Sequence, residues 1–220
     1  MAYFDQFAKR SEQIISFVSV STGAEVKFPA FITQFTDDYT VAWGGGNVFG
    51  RIDPIKHYQS TGRRINCAFD ILGRNEEIAL KNFQNFSRLI QSLYPVYSDP
   101  VGGNPKSRTI IAAPLFRIKY ANYMSSPRSD KGLLGCVNGF SFQPKFESGH
   151  FFTDSGEMIP LVYSMTFVFE PLHEEPLGHD PNGFFLDRTF PYHINADQAE
   201  EIEITNVQRS QPATDPMEGD

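Results

Sequence analysis

Apolar and polar positions alternate with a period of two along most of this chain, and the alternation switches to a helical period only once. Ile14–Val20 is a β-branched and aromatic run that reads as a strand, broken at Thr22-Gly23. Val26, Phe28, Ala30 and Ile32 mark a second strand, in which Pro29 implies an edge or a bulge. Tyr39–Trp43 reads as a short third strand ended by Gly44-Gly45-Gly46-Asn47. In Arg63–Ile71, Ile65, Cys67, Phe69 and Ile71 alternate with Arg64, Asn66, Ala68 and Asp70, so one face goes to a core.

At Gly73-Arg74-Asn75 the period changes. Asn75 is placed to cap a helix, with Glu76 and Glu77 in the first turn where the helix dipole favours negative charge. Ala79, Phe83, Phe86, Ile90 and Leu93 then form one helical stripe, and Pro95 ends it, so a helix is expected over about 75–94. Beyond a Pro/Gly-rich loop (Asp99 to Lys106) strands return over Leu115–Met124, Leu133–Phe146 and Met158–Phe169. Gly135 and Gly139 in the second of these suit a bulge or a close approach. The last two runs read as a long hairpin, with Ile159, Leu161, Tyr163, Met165, Phe167 and Phe169 on one face. Strands, one helix and strands again predict an α+β fold that is mainly antiparallel β. No internal repeat is visible, and the first ten residues have the pattern of an amphipathic helix.

From Pro171 the periodicity fades into Pro, Gly and acidic residues. Residues 1–179 are expected to form one domain and 180–220 an acidic C-terminal arm whose last dozen residues are disordered. The net charge is −7 over 220 residues. From Glu170 onward stand twelve acids against Arg188 and Arg209, hence −10, which leaves +3 for the rest. Nucleic-acid grip needs clustered Lys and Arg, so a DNA-binding module is not expected. No run of eighteen apolar residues is present, so no membrane span is expected. A secretory leader is not expected either, and two cysteines suit a reducing compartment. Phe is abundant at 21 residues, as a densely packed β protein requires.

Candidate chemistry is sparse. His173-Glu174-Glu175, His179-Asp180 and His193 form the one His/carboxylate cluster, but a metalloprotease helix sets two His four apart, whereas here the spacing is six with Pro176 and Gly178 between. Cys67 and Cys136 read as small core residues. Asp37-Asp38 read as solvated loop carboxylates. Neither a phosphate-binding glycine loop nor a Gly-x-Ser-x-Gly elbow occurs. No enzyme activity, cofactor or metal is expected.

The stretch from Gly50 to Arg64 is dense in special residues yet has no catalytic logic. Arg51, Lys56, Arg63 and Arg64 are suited to reach carboxylates on a neighbouring chain; the alternative is a twisted loop with ordinary surface charges.

The run Gly50-Arg51-Ile52-Asp53-Pro54-Ile55-Lys56-His57-Tyr58-Gln59-Ser60-Thr61-Gly62-Arg63-Arg64-Ile65 resembles a segment of the baseplate tube, or tail-tube-initiator, proteins of contractile-tailed bacteriophages. Further similar stretches follow in the family's order: Leu89–Tyr97, Pro114–Asn122, Gly132–Gly135 leading into Phe140-Ser141-Phe142, and Phe169-Glu170-Pro171-Leu172. The resemblance spans about residues 25–180. The acidic arm and the short N-terminus depart from it.

The resemblance implies a tail-tube-like β-sandwich or partial barrel flanked by one helix. It implies a ring of six copies on the central hub, in a virion tail baseplate assembled in the host cytoplasm. The tube polymerises from the ring, and DNA passes through without specific binding. Arg51, Asp53, Tyr58, Arg63, Arg64, Phe184, Phe185 and Tyr192 are then expected at contacts between subunits or with hub and tube proteins, with Phe190 assisting in the arm. Asn138, Ser141, Ser164 and Thr166 are expected to face the lumen. Leu115–Met124 is expected in the same ring, with Arg117 and Lys119 paired to acids on a neighbour. Two other readings are a monomeric β-barrel holding an apolar small molecule, and a hydrolase built on the His173–His193 region.

Overall fold

The computed structural model describes residues 13–47, 49–100, 107–126, 129–153 and 155–193. The expected N-terminal helix and the disordered end of the arm lie outside them.

Eleven strands and one α-helix occur among the described residues. The strands are β1 (Ile14–Ser19), β2 (Glu25–Pro29), β3 (Phe31–Gly46), β4 (Ile55–Leu72), β5 (Val96–Tyr97), β6 (Ile110–Ala112), β7 (Leu115–Lys119), β8 (Leu133–Pro144), β9 (His150–Phe152), β10 (Met158–Pro160) and β11 (Val162–Pro171). The helix α1 (Glu76–Ser92) lies between β4 and β5. Seven strands make one antiparallel sheet in the order β2-β1-β7-β8-β11-β4-β3. The chain is thus α+β, mainly antiparallel β, with an open sheet and no closed barrel among the described residues.

Alternation decides which face is buried. Ile65, Cys67, Phe69 and Ile71 of β4 lie beside Tyr163, Met165, Phe167 and Phe169 of β11, all at most 1% exposed. The sheet rolls over this face. β1 and β4 are separated by three strands, yet the Phe17 ring lies 6.5 Å from Phe69, 5.3 Å from Phe167 and 6.3 Å from Phe28. Helix α1 closes one end of the roll. Asn75 caps it through Oδ1, which accepts from the Ile78 N–H at 3.0 Å, and Phe86 stacks on Phe142 at 4.3 Å. The buried stripe is Ala79, Asn82 and Leu89, with Phe86 and Leu93 partly buried. Phe83 and Ile90 sit at its margin, because the helix is rotated slightly from the orientation the Phe spacing suggests.

Several boundaries differ from the sequence reading for local reasons. The expected Tyr39–Trp43 strand is the middle of the sixteen-residue β3. Gly45 keeps β3 paired, since a Cβ there would stand 2.5 Å from the Ile55 carbonyl oxygen. β7 stops at Lys119, where Tyr120 and Met124 exchange backbone hydrogen bonds around a turn with Ala121 at φ +42°. β8 ends at Pro144, ahead of a 3-10 turn at Phe146–Ser148. The expected Met158–Phe169 strand is interrupted at Leu161, whose N–H donates to the Gly149 carbonyl, so its first part pairs with β9 instead.

The glycines of β8 differ in role. Gly135 is a close approach, where a Cβ would meet the Glu170 carbonyl at 2.3 Å and the Phe169 ring at 2.8 Å. Gly139 adjoins a bulge, because Phe169 opposes Val137 while Val168 opposes Gly139, which leaves Asn138 unopposed.

Candidate functional site

The part of the fold not spent on the core is the outer half of the β3–β4 hairpin. β11 pairs with β4 only as far as Ile65, so from Asp38↔Arg64 to Gly46↔Ile55 the two strands pair with each other alone. Nine residues at about 3.3 Å each project this ribbon roughly 30 Å from the sheet. A free two-stranded ribbon is marginally stable in water. Trp43 and Tyr58 stand opposite each other and pack edge to face at 5.9 Å, and the Tyr58 hydroxyl donates to Thr61 Oγ1 at 2.9 Å. At the tip Phe49 and Ile52 are fully exposed, and Trp43, Ile55 and Tyr58 are about half exposed. Arg51 and Asp53 are exposed there too, and Arg64 is exposed on the outer face of the sheet.

Arg63 is placed differently from its neighbours. It continues the inward stripe of Ile65 and Cys67 and points under the ribbon. Its Nε donates to Asp37 Oδ1 at 2.9 Å and its Nη2 to Oδ2 at 2.7 Å, with the two side chains 1% and 4% exposed. The guanidinium adjoins both the Tyr39 and the Phe190 ring, 5.6 and 5.4 Å from their centroids. Burial pushes the Tyr39 phenol well above its ordinary range; Arg63 opposes this and Asp37 adds to it. Asp37 is therefore a buried ion-pair partner in β3, and the sequence reading of a solvated loop carboxylate is corrected. Asp38, on the other face, accepts from Asn66 Nδ2 at 3.1 Å.

The first part of the arm folds onto this clamp. Phe190 meets Tyr39 at 6.2 Å and His173 at 5.7 Å, and Tyr192 meets Tyr123 at 5.4 Å. Burial and the Asp37 carboxylate both raise the Tyr192 phenol. Phe184 and Phe185 remain half exposed. Asp187 Oδ1 organises the segment by accepting from the Thr189 N–H, the Thr189 hydroxyl and the Phe190 N–H at 2.8 to 3.2 Å. Burial alone would raise this carboxyl, but these bonds hold it below the ordinary carboxylate value. A depressed carboxyl contributes its stability in full above the ordinary pKa near 4, and that stability is lost as pH falls through the lowered folded value. The protection of the Thr189 and Phe190 amides, taken relative to the intrinsic exchange rate at each pH, is accordingly expected to fall below about pH 4, and Asp187→Asn to remove that loss. Equal protection at pH 3 and 6 would contradict this.

On the outer face of the sheet, Ser141 opposes Thr166, and Ser164 stands between Gln143 and Asp70. Ser141, Thr166 and the bulged Asn138 are exposed, whereas Ser164 is partly buried and donates to Asp70 Oδ1 at 2.6 Å. Lys145 Nζ lies 2.6 Å from Asp70 Oδ2, and Arg117 forms a bidentate pair with Glu174 at 2.9 and 2.6 Å. The acid that meets Arg117 is thus in its own chain, a correction to the expectation of a neighbour's acid. The face is small, polar and largely charge-balanced.

Of the cluster singled out for catalysis, His173, Glu174, Glu175 and His193 line one cleft, and His179 and Asp180 lie outside it. His193 Nδ1 lies 3.0 Å from Thr189 Oγ1, and burial followed by the Arg63 charge lowers the His173 pKa. Among the described residues no three His, Cys, Asp or Glu side chains are placed to hold a metal. Burial pushes the Cys67 thiol up to about 12, so it is not a thiolate at neutral pH. The cleft beside Leu134, Leu172, His173, Leu177, Phe190 and His193 holds about 50 Å³, far less than the roughly 300 Å³ of a small-molecule site.

No family model matches the chain, and no curated protein matches it. Among solved structures it is similar to SPP1 Dit (gp 19.1), described as a paradigm of the hub adsorption apparatus in phages infecting Gram-positive bacteria. Identity is 10% over 74% of this chain and 51% of that one, with a TM-score of 0.36, so the chain spans about half the length of that protein. It is also similar to a chain of the six-fold symmetrised anti-feeding prophage baseplate, at 8% identity, 71% and 87% coverage and a TM-score of 0.28. Likenesses this weak carry no weight for function.

Proposed function

We propose that the chain is a structural subunit of a contractile-tail phage baseplate, one of six copies in a ring seated on the central hub. The ring starts the tail tube, lines the channel through which DNA passes, and resides in the virion tail after assembly in the host cytoplasm. The observation that carries the reading is the β3–β4 ribbon. It bears the run Gly50–Ile65 that resembles the tube-initiator family, and it ends in two fully exposed apolar side chains, Phe49 and Ile52. Side chains so displayed are at odds with a monomer's interest in hiding apolar surface and suit a subunit completed by partners.

Two further features agree. The sheet is open at β2 and β3, and unpaired edges invite pairing between chains. The outer face around Ser141, Ser164 and Thr166 has its nearby Lys145 and Arg117 matched by acids, which suits a channel that DNA must traverse without sticking.

Mixing the purified chain with its hub protein tests the reading, with light scattering after size exclusion and electron microscopy of the product. Six-fold rings on the hub are expected. A chain that stays monomeric with the hub present and binds a hydrophobic dye belongs to the ligand-binding class instead.

A further inference from the structure

We propose that the ribbon tip of one copy docks on the Phe184-Phe185-Leu186 turn of a second copy of this chain. The proposal rests on the ring reading above and names the two surfaces that would meet. The turn is a preformed platform. Asp180 Oδ1 accepts from the Asn182 and Phe184 N–H groups at 2.9 Å each, and the Asp180 N–H donates to the Phe184 carbonyl at 2.8 Å. The Leu186 N–H donates to the Gly178 carbonyl at 2.9 Å, and the His179 and Phe185 rings lie 4.6 Å apart. So braced, three consecutive apolar side chains keep 49–58% of their surface in solvent. Ordering them on binding costs little, because the backbone is already set.

The other surface answers it in charge as well as in polarity. Around Phe49 and Ile52 the tip carries Arg51 and Lys56 against Asp53. From Leu172 to Asp187 stand Glu174, Glu175, Asp180 and Asp187 with no Lys or Arg, and Glu174 pairs with Arg117; Arg188 follows just beyond. An apolar centre inside a rim of opposite charges is the anatomy of a specific interface. Because the tip and the turn are different surfaces of one chain, the contact is heterologous and repeats from copy to copy until a ring closes.

The test uses the full chain in two altered forms, one with Phe49→Asp and Ile52→Asp, the other with Phe184→Asp and Phe185→Asp. All four positions are exposed, so circular dichroism should match the unaltered chain. In sedimentation velocity each form alone is expected to lose higher oligomers completely. An equimolar mixture is expected to give a heterodimer and nothing larger, since one intact tip still meets one intact turn. Ile52→Cys chains mixed with Phe185→Cys chains and a bis-maleimide should yield a cross-linked dimer above the background of the unaltered chain, even where association is transient. If the unaltered chain forms rings and either aspartate form does too, the ring reading stands and this contact is wrong. Absence of both heterodimer and cross-link also overturns it. So does dimerisation of Ile52→Cys with itself, which would mean a two-fold contact. Loss of hub binding by the tip form, with self-association intact, assigns the tip to the hub instead. An unaltered chain that neither associates nor cross-links, with or without hub, ends the ring reading as well.

Discussion

Asp37→Ala is expected to lower the unfolding free energy by about 3–5 kcal/mol, the usual cost of stranding one member of a buried ion pair. The substitution leaves the Arg63 guanidinium against the Tyr39 and Phe190 rings with no carboxylate, and its Nη1 already has no hydrogen-bond partner. For a domain of this size the loss is worth roughly 10 °C in the melting temperature. Arg63→Met should cost a similar amount by stranding Asp37. The double variant Asp37→Leu/Arg63→Met should recover most of it, because an apolar pair of similar volume avoids the desolvation that the ion pair must overcome. Urea unfolding of the unaltered chain, Asp37→Leu, Arg63→Met and the double variant closes the cycle. A loss below about 1 kcal/mol for either single variant would mean that the pair is hydrated in solution, as exposed pairs are. Since the clamp joins the ribbon's base to the arm, Asp37→Ala should also expose the Thr189 and Phe190 amides to exchange.

Phe17→Ala is expected to be of comparable size, about 3–5 kcal/mol. Phe17 is not simply one more buried ring: it touches β2 through Phe28, β4 through Phe69 and β11 through Phe167, so it holds the two ends of the rolled sheet together. Truncation opens a cavity where the roll closes. Phe17→Leu, which keeps most of the volume, should cost well under half as much. If the two variants are equally stable, the roll can collapse around the missing ring and Phe17 does not bridge it.

How far these features could be read in the chain differs from case to case. The inward stripe Ile65, Cys67, Phe69, Ile71 needed only the two-residue period, because a strand in a one-sided sheet has to segregate its faces. Carried back two residues, the same stripe reaches Arg63, and an Arg on a core stripe requires a buried acid. That signal was present, but its partner lies 26 positions away in β3. Asp37 beside Asp38 reads as a solvated pair until the register sends them to opposite faces. Phe190 and Tyr192 likewise look like spare aromatics in an acidic arm, and the fold spends both on the clamp while leaving Phe184 and Phe185 outside.

Local sequence was enough for the antiparallel α+β class, the single long helix with its Asn75 cap, and most strand positions, because periodicity, capping and turn chemistry act over a few residues. Only the tertiary structure decided that the sheet stays open and rolls, that β3 and β4 continue as a free ribbon, and that Asp37 and Arg63 meet beneath it. Those outcomes depend on which strands become neighbours, and contacts between positions far apart in the chain leave no period to read.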